Sequence, residues 1–126
     1  MSYIHSDASD GIITKAASSY TSARHATSGS VQNLSSCSNK GVFEAKSTSG
    51  RASLTRTFTR SYFWFDTSGV TDCTGVSLEL RGFTSTIDSG ESIVVMKSDA
   101  FGGDGTAALA STDFDNIVGW DGSSDM

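Results

Sequence analysis

The side chains that could do chemistry in this sequence are few and widely spaced. Two histidines, His5 and His25, stand among many serines and aspartates, which are the residue types of a hydrolytic triad. The sequence nevertheless contains no G-x-S-x-G elbow, no H-E-x-x-H pair and no P-loop. Because a Ser, His and Asp combination can be picked out of any serine-rich chain, we expect the protein not to be an enzyme.

Acidic residues supply the candidate metal ligands. Asp7 with Asp10, and Asp121 with Asp125, carry the hard oxygen atoms that calcium prefers, but their spacing does not match an EF-hand loop. Acidic loops on an acidic protein are usually solvated. We therefore predict no metal site and no cofactor, and calcium stays open as the less favoured alternative.

Neither the cysteines nor the glycines form a recognisable site. Cys37 and Cys73 lack the CxxC and histidine spacing of a zinc site, and the sequence does not decide whether they pair. The stretch FGGDG at 101–105 has the wrong glycine spacing for a dinucleotide fingerprint, and no helical pattern follows it. We interpret it as a flexible loop.

The overall charge restricts the classes of partner. The net charge is -5 and the nine basic residues are scattered, whereas nucleic-acid binding needs clustered Lys and Arg. No apolar run is long enough to span a membrane, and the first residues do not resemble a secretory signal. We expect neither nucleic-acid binding nor membrane insertion, which leaves the cytoplasm or a virus particle as the location.

Composition predicts the class of fold. Hydrophobic residues make up 37% and charged residues 18%, serine and threonine are abundant, and proline is absent. Such a mixture favours short strands joined by glycine, aspartate and serine turns. We predict one all-β domain over residues 1–126, with a possible N-terminal arm at 1–9 and a tail or truncated continuation at 121–126.

Alternating hydrophobicity places the strands. GVSLELRGF at 75–83 alternates apolar and polar residues and is the clearest prediction, and SIVVMKS at 92–98 is apolar on both faces, as in a central strand. Weaker strands are predicted at 10–15 and 41–47, and a short helix or turn at 113–120 is expected to place Phe114, Ile117 and Trp120 on the core. The predicted core residues are Phe63, Phe65, Val76, Leu78, Leu80, Ile93 and Val95.

The aromatic stretch RSYFWFDTSG at 60–69 provides the candidate site. In a strand over 53–66, Phe63 and Phe65 share one face with the threonines, while Arg60, Tyr62 and Trp64 share the other. If the two phenylalanines lie in the core, the other three residues face outward. That face is then covered by the same chain, forms a protein interface, or stacks against a sugar ring.

The same stretch resembles a known motif. Arg60, Phe63, Phe65, Asp66 and the ThrSerGly that follows, then GVSLELRGF, resemble the signature of jelly-roll domains called DNRLRE or carbohydrate-binding-module-like domains. The sequence YFWFDTSGV at 62–70 is similar to the form of this motif found in bacteriophage structural proteins. The resemblance extends weakly over about residues 10–120.

The resemblance implies a jelly-roll β-sandwich and a function. Related domains continue past the segment that resembles STDFDNIVGW, whereas this sequence ends at Met126, so we expect either that neighbouring subunits complete the sandwich or that the gene continues. The favoured expectation is a non-enzymatic virion protein, a head-decoration or tail component, which forms a homo-oligomer and docks on other virion proteins. The alternative is a carbohydrate-binding module or tail adhesin that recognises a surface polysaccharide.

Overall fold

A four-stranded antiparallel sheet dominates the structure. The computed structural model describes residues 4–6, 10–33, 44–50, 54–80 and 93–119. Its strands are β1 (Gly11–Ala17), β2 (Ser30–Asn33), β3 (Glu44–Ser49) and β4 (Leu54–Tyr62), in the spatial order β2-β1-β4-β3. The only α-helix in the described part is α1 (Tyr20–Arg24), which has five residues. The protein is therefore all-β, as its composition predicts.

The two central strands explain why the sheet has two different faces. β1 and β4 pair over seven residues, with Ile13 opposite Arg60 and Thr14 opposite Thr59. Residues that lie directly opposite each other point to the same face. One face therefore carries Ile13, Arg60 and Tyr62, and the other carries the threonines, whose hydroxyl groups meet at Thr14 and Thr59 with 3.0 Å between the oxygens.

The hydrophobic core lies on the face of Ile13 and is closed by segments from the C-terminal half. It joins residues that are almost completely buried: Ile13, Tyr62, Ala100, Phe101, Leu109 and Phe114. Two short 3-10 turns, Phe101–Gly103 and Ser111–Asp115, bring Phe101 and Phe114 of this cluster over the sheet. Helix α1 covers an adjacent part of the sheet with its buried Ala23.

Helix α1 begins where the sequence supplies a cap. The hydroxyl oxygen of Ser19 accepts a hydrogen bond from the backbone N–H of Ser22 at 3.0 Å, which satisfies one of the free donors at the helix N-terminus.

Strand β2 is preceded by Gly29, whose backbone N–H donates to Ser111 O at 3.1 Å. A Cβ at this glycine would lie 2.7 Å from Ile13 Cγ2, so only glycine allows the approach.

Several of the predicted elements are present. The strand predicted at 10–15 is β1, and the one predicted at 41–47 overlaps β3, although residues 41–43 lie outside the described part. The turn predicted at 113–120 corresponds to Ser111–Asp115, and it does place Phe114 in the core. Ile117 is half-buried, and Trp120 lies outside the described residues.

The two apolar strands predicted in the second half are wrong. Residues 75–80 and 93–97 belong to no strand or helix, and residues 81–92 lie outside the described part. The side chains assigned to the core at Val76, Leu78, Leu80, Ile93 and Val95 are all exposed, by between 42% and 87%. A strand needs a neighbour to pair with and a face to cover, and here α1 and residues 100–114 already cover the core face of the sheet.

Candidate functional site

Arg60 connects the sheet to the two segments that cover it. Its Nη2 donates to the backbone carbonyl of Arg24 at 3.0 Å, and its Nη1 donates to the carbonyl of Phe114. The guanidinium carbon also lies 4.3 Å from the centre of the Phe114 ring, within cation–π range. The sequence predicts that Arg60 faces outward, but its contacts are inside the domain.

The electrostatic environment of Arg60 reflects this position. Burial lowers the pKa of its guanidinium, and the nearby Tyr62 and Asp115 oppose that effect. A guanidinium nevertheless stays protonated in proteins. Arg60 thus places a half-buried positive charge over an aromatic ring and against two carbonyl oxygens, which is an arrangement for holding segments together rather than for proton transfer.

Tyr62 is a core residue, so its predicted outward orientation is wrong. Only 5% of its surface is exposed, and its hydroxyl donates to the backbone carbonyl of Asp113 at 2.7 Å. Burial raises the pKa of the phenol to about 12. The side chain thus contributes apolar packing through its ring and fixes the Ser111–Asp115 turn through its hydroxyl.

Trp64 is half-buried at the edge of the core. Its backbone N–H donates to Asp10 Oδ1 at 3.1 Å, and its side chain packs against the core cluster. The indole lies on the backbone of Gly105, where an added Cβ would be 2.5 Å from Nε1. Phe63 and Phe65 are also half-buried, so neither is the fully buried core residue that the sequence predicts.

The loop that supports Trp64 has an unusual backbone. Phe101, Gly102, Gly103 and Gly105 all have positive φ angles, and Phe101 does so at φ 60 with its side chain buried. The Asp104 carboxylate accepts hydrogen bonds from the N–H and the hydroxyl of Thr106, which lower the pKa of that carboxyl group. The FGGDG stretch is thus a tight turn that seats an aromatic ring.

The candidate metal ligands and histidines that the structure describes lie apart from one another. In the described part of the chain, no group of three or more His, Cys, Asp or Glu side chains could hold a metal ion. His5 is exposed, and His25 Nε2 lies 3.3 Å from Arg24 Nη2. Asp10 accepts from the backbone N–H of Trp64, while Asp7, its partner in the less favoured calcium alternative, and the pair Asp121 and Asp125 lie outside the described residues.

The cysteines can be described only in part. Cys73 is an exposed free thiol, and its Sγ donates to the carbonyl of Gly75 at 3.2 Å. Cys37 lies outside the described residues.

The most prominent surface feature consists of two exposed apolar segments, residues 76–80 and residues 93–97. Val76 is 87% exposed, Val94 is 64% exposed and Val95 is 63% exposed. The first segment also exposes Leu78 and Leu80, and the second exposes Ile93 and Met96. Exposed apolar residues that cluster along a segment mark a site of contact with another molecule more often than isolated exposed residues do.

The sequence of β4 contains a signal for the face that carries the core. The face of β4 that carries Phe58 and Tyr62 has no uncharged polar residue, whereas the opposite face is made of threonine and serine. Comparing the two faces indicates which one carries the hydrophobic core, although Thr59 on the opposite face is also buried, with 6% of its surface exposed. No signal in the sequence predicts that residues 76–80 stay exposed, because their alternation is that of an ordinary strand.

Comparison with family models, curated proteins and solved structures finds no match to this chain. None of the helices in the described residues is both long enough and apolar enough to cross a membrane.

Proposed function

We propose that this chain is a non-enzymatic structural protein of a bacteriophage particle, a head-decoration or tail component that acts by docking on other protein subunits. The observation that carries the proposal is the exposure of residues 76–80 and 93–97. Multiplying each exposed fraction of the seven apolar residues by the area of an unfolded residue gives about 600 Å² of surface. Apolar side chains exposed along two runs of residues, rather than singly, are typical of a protein that docks on a partner.

The pattern of these segments supports docking through a sheet. Val76, Leu78 and Leu80 alternate with Ser77 and Glu79, which is the pattern of a strand with one buried and one wet face. Supplying the missing neighbour from another subunit would pair the backbone and bury the apolar side chains together. We propose that this completes a jelly-roll sandwich that the single chain leaves open.

The resemblance of RSYFWFDTSG to a phage motif supports the particle assignment. In the structure, Arg60 of this motif holds the covering segments, and Asp66 forms the turn that follows, where its Oδ1 accepts from the N–H of Ser68 at 2.9 Å. These are roles in stability. They fit a scaffold whose function depends on its surface rather than on a catalytic pocket.

The alternative of a carbohydrate-binding module required an outward aromatic platform. Tyr62 is buried and Trp64 is half-buried against Gly105, so the two aromatic residues of the candidate face do not present adjacent exposed rings. No geometric observation therefore favours the alternative over docking.

The test is to locate the protein. Antibodies raised against the purified chain would be used for immunogold electron microscopy of phage particles from a source that encodes it, with antibody pre-absorbed on the chain as the control. We expect gold particles at a repeated position on the head or tail. Detection only in the soluble fraction of lysed cells, with purified particles unlabelled, would overturn the proposal.

A further inference from the structure

The two exposed apolar segments differ from each other in charge. Residues 76–80 include Glu79, residues 93–97 end in Lys97, and both charged side chains are exposed. Within the described residues, the backbone of 93–97 takes part in one hydrogen bond to the backbone of another segment, in which Lys97 O accepts from the N–H of Val118 at 2.9 Å. Each segment is therefore apolar, open to a partner and marked by a charge opposite to that of the other segment.

From these features we propose that the partner of each exposed segment is a second copy of this chain, with residues 76–80 of one copy packed against residues 93–97 of the other. The twofold symmetry of such a pair repeats the contact, so both segments of both copies are covered. This inference rests on the proposed function, because it names one of the subunits on which the protein docks.

The area is sufficient for a specific contact. With both segments completely covered, each copy contributes about 600 Å², so two copies bury at most about 1,200 Å², which reaches the lower limit for stable protein–protein interfaces. Burying only one segment on each copy would give about half of that area. The size of the surface therefore favours an arrangement in which both segments take part.

The charges favour a contact between residues 76–80 and residues 93–97 over a contact of residues 76–80 with themselves. The chain has a net charge of -5, so two copies repel each other unless local pairs compensate. Packing residues 76–80 against the same residues of the second copy would bring two Glu79 side chains together. Pairing the edge of 76–80 with the edge of 93–97 instead places Glu79 beside Lys97 on the face opposite Val76, Leu78 and Leu80, and the symmetry gives two such pairs.

The primary experiment measures the solution mass of the purified chain by light scattering across a concentration series. We expect a mass of twice 13.2 kDa. Leu78→Asp, at a residue that is 47% exposed, should give a monomer with an unchanged circular dichroism spectrum. Val70→Asp is the matched control, because Val70 is 45% exposed but lies outside both segments, and it should leave the dimer intact.

Charge reversal tests the pairing of segments. Glu79→Lys alone should raise the dissociation constant of the dimer about tenfold, because two attractive pairs become repulsive. Combining it with Lys97→Glu should restore the wild-type value. A dimer that Leu78→Asp leaves intact, or one that the double reversal fails to restore, would contradict the proposed contact.

Hydrogen exchange separates this inference from the proposed function. If the wild-type chain is a monomer whose amides at 76–80 and 93–97 exchange fast, the second-copy inference fails, but the open surface still supports docking on other virion proteins. If it is a monomer whose amides in these segments are protected, the segments are packed within one chain, and the docking proposal fails as well.

Discussion

Replacing Gly105 with alanine tests the link between the glycine-rich loop and the aromatic motif. Gly105 and Gly103 have nearly the same positive φ, 79 and 81, so an alanine introduces a similar backbone strain at either position. They differ in their surroundings. A Cβ at 103 meets nothing within 4 Å, whereas a Cβ at 105 lies 2.5 Å from Trp64 Nε1 and 2.6 Å from Cζ2.

The expected magnitudes follow from these two terms. An alanine in the left-handed region lowers the free energy of unfolding by about 1–2 kcal/mol. The same substitution reduces the conformational entropy of the unfolded chain, which raises the free energy of unfolding by roughly 0.4–1 kcal/mol. We therefore expect Gly103→Ala to lower the free energy of unfolding by about 1 kcal/mol. Gly105→Ala adds an overpacking cost of about 1–3 kcal/mol, because either the indole or the loop must shift.

Urea unfolding followed by tryptophan fluorescence would measure both variants. A Trp120→Phe background leaves Trp64 as the only tryptophan, so its emission also reports whether the indole leaves its half-buried position. Adding Trp64→Ala should remove the difference between the two glycine variants, since the clash is then absent; because no tryptophan then remains, unfolding of these variants would be followed by circular dichroism. Equal destabilisation by Gly105→Ala and Gly103→Ala in the presence of Trp64 would refute the packing argument.

Three further predictions concern the core. Tyr62→Phe should lower the free energy of unfolding by about 1 kcal/mol in urea unfolding, because it removes the hydroxyl that donates to Asp113 O and, at longer range, to Phe114 O, and keeps the ring. A loss above about 3 kcal/mol would mean that the ring itself had moved. Because the fold raises the pKa of Tyr62 from 10.0 to about 12, its contribution is complete below pH 10 and is lost as the pH rises to 12. Unfolding measured across this range should show a decline that Tyr62→Phe reduces, and an identical decline in both proteins would contradict the assignment. Phe114→Ala should cost about 3–5 kcal/mol, since the ring is fully buried, whereas Val118→Ala, at a residue that is 43% exposed, should change stability by less than about 0.5 kcal/mol. Similar losses for these two variants in thermal unfolding would contradict the described core.

The sequence could predict the first half of the fold because its strands pair with each other. The alternation in 54–62 correctly divides β4 into two faces, and β1 lies where Ile12 and Ile13 indicate. The prediction of the buried face is wrong, because it assigns Phe63 and Phe65 to the core, whereas Tyr62 is the buried residue. β4 ends at Tyr62, so the two phenylalanines lie beyond the regular part of the strand.

The second half could not be predicted from periodicity. Residues 76–80 alternate as clearly as any strand, but alternation shows only that a segment is suited to a sheet with one covered face. Whether that cover comes from the same chain is a property of the whole molecule. Phe101 and Phe114 occupy the available face of the sheet through irregular turns, for which the sequence carries no periodic signal.

The contacts of Arg60 have a consequence for the order of folding. One of its two carbonyl partners, Arg24, precedes it by 36 residues in sequence, and the other, Phe114, follows it by 54 residues. Pairing of β1 with β4 needs only residues up to 62, so a ribosome-bound chain can form the central strands early. The core cannot close until Phe114 has been synthesised, because that residue fills the space over Ile13. Such non-local contacts slow folding, and an unfinished chain would expose the face of β4 until the last quarter of the domain arrives.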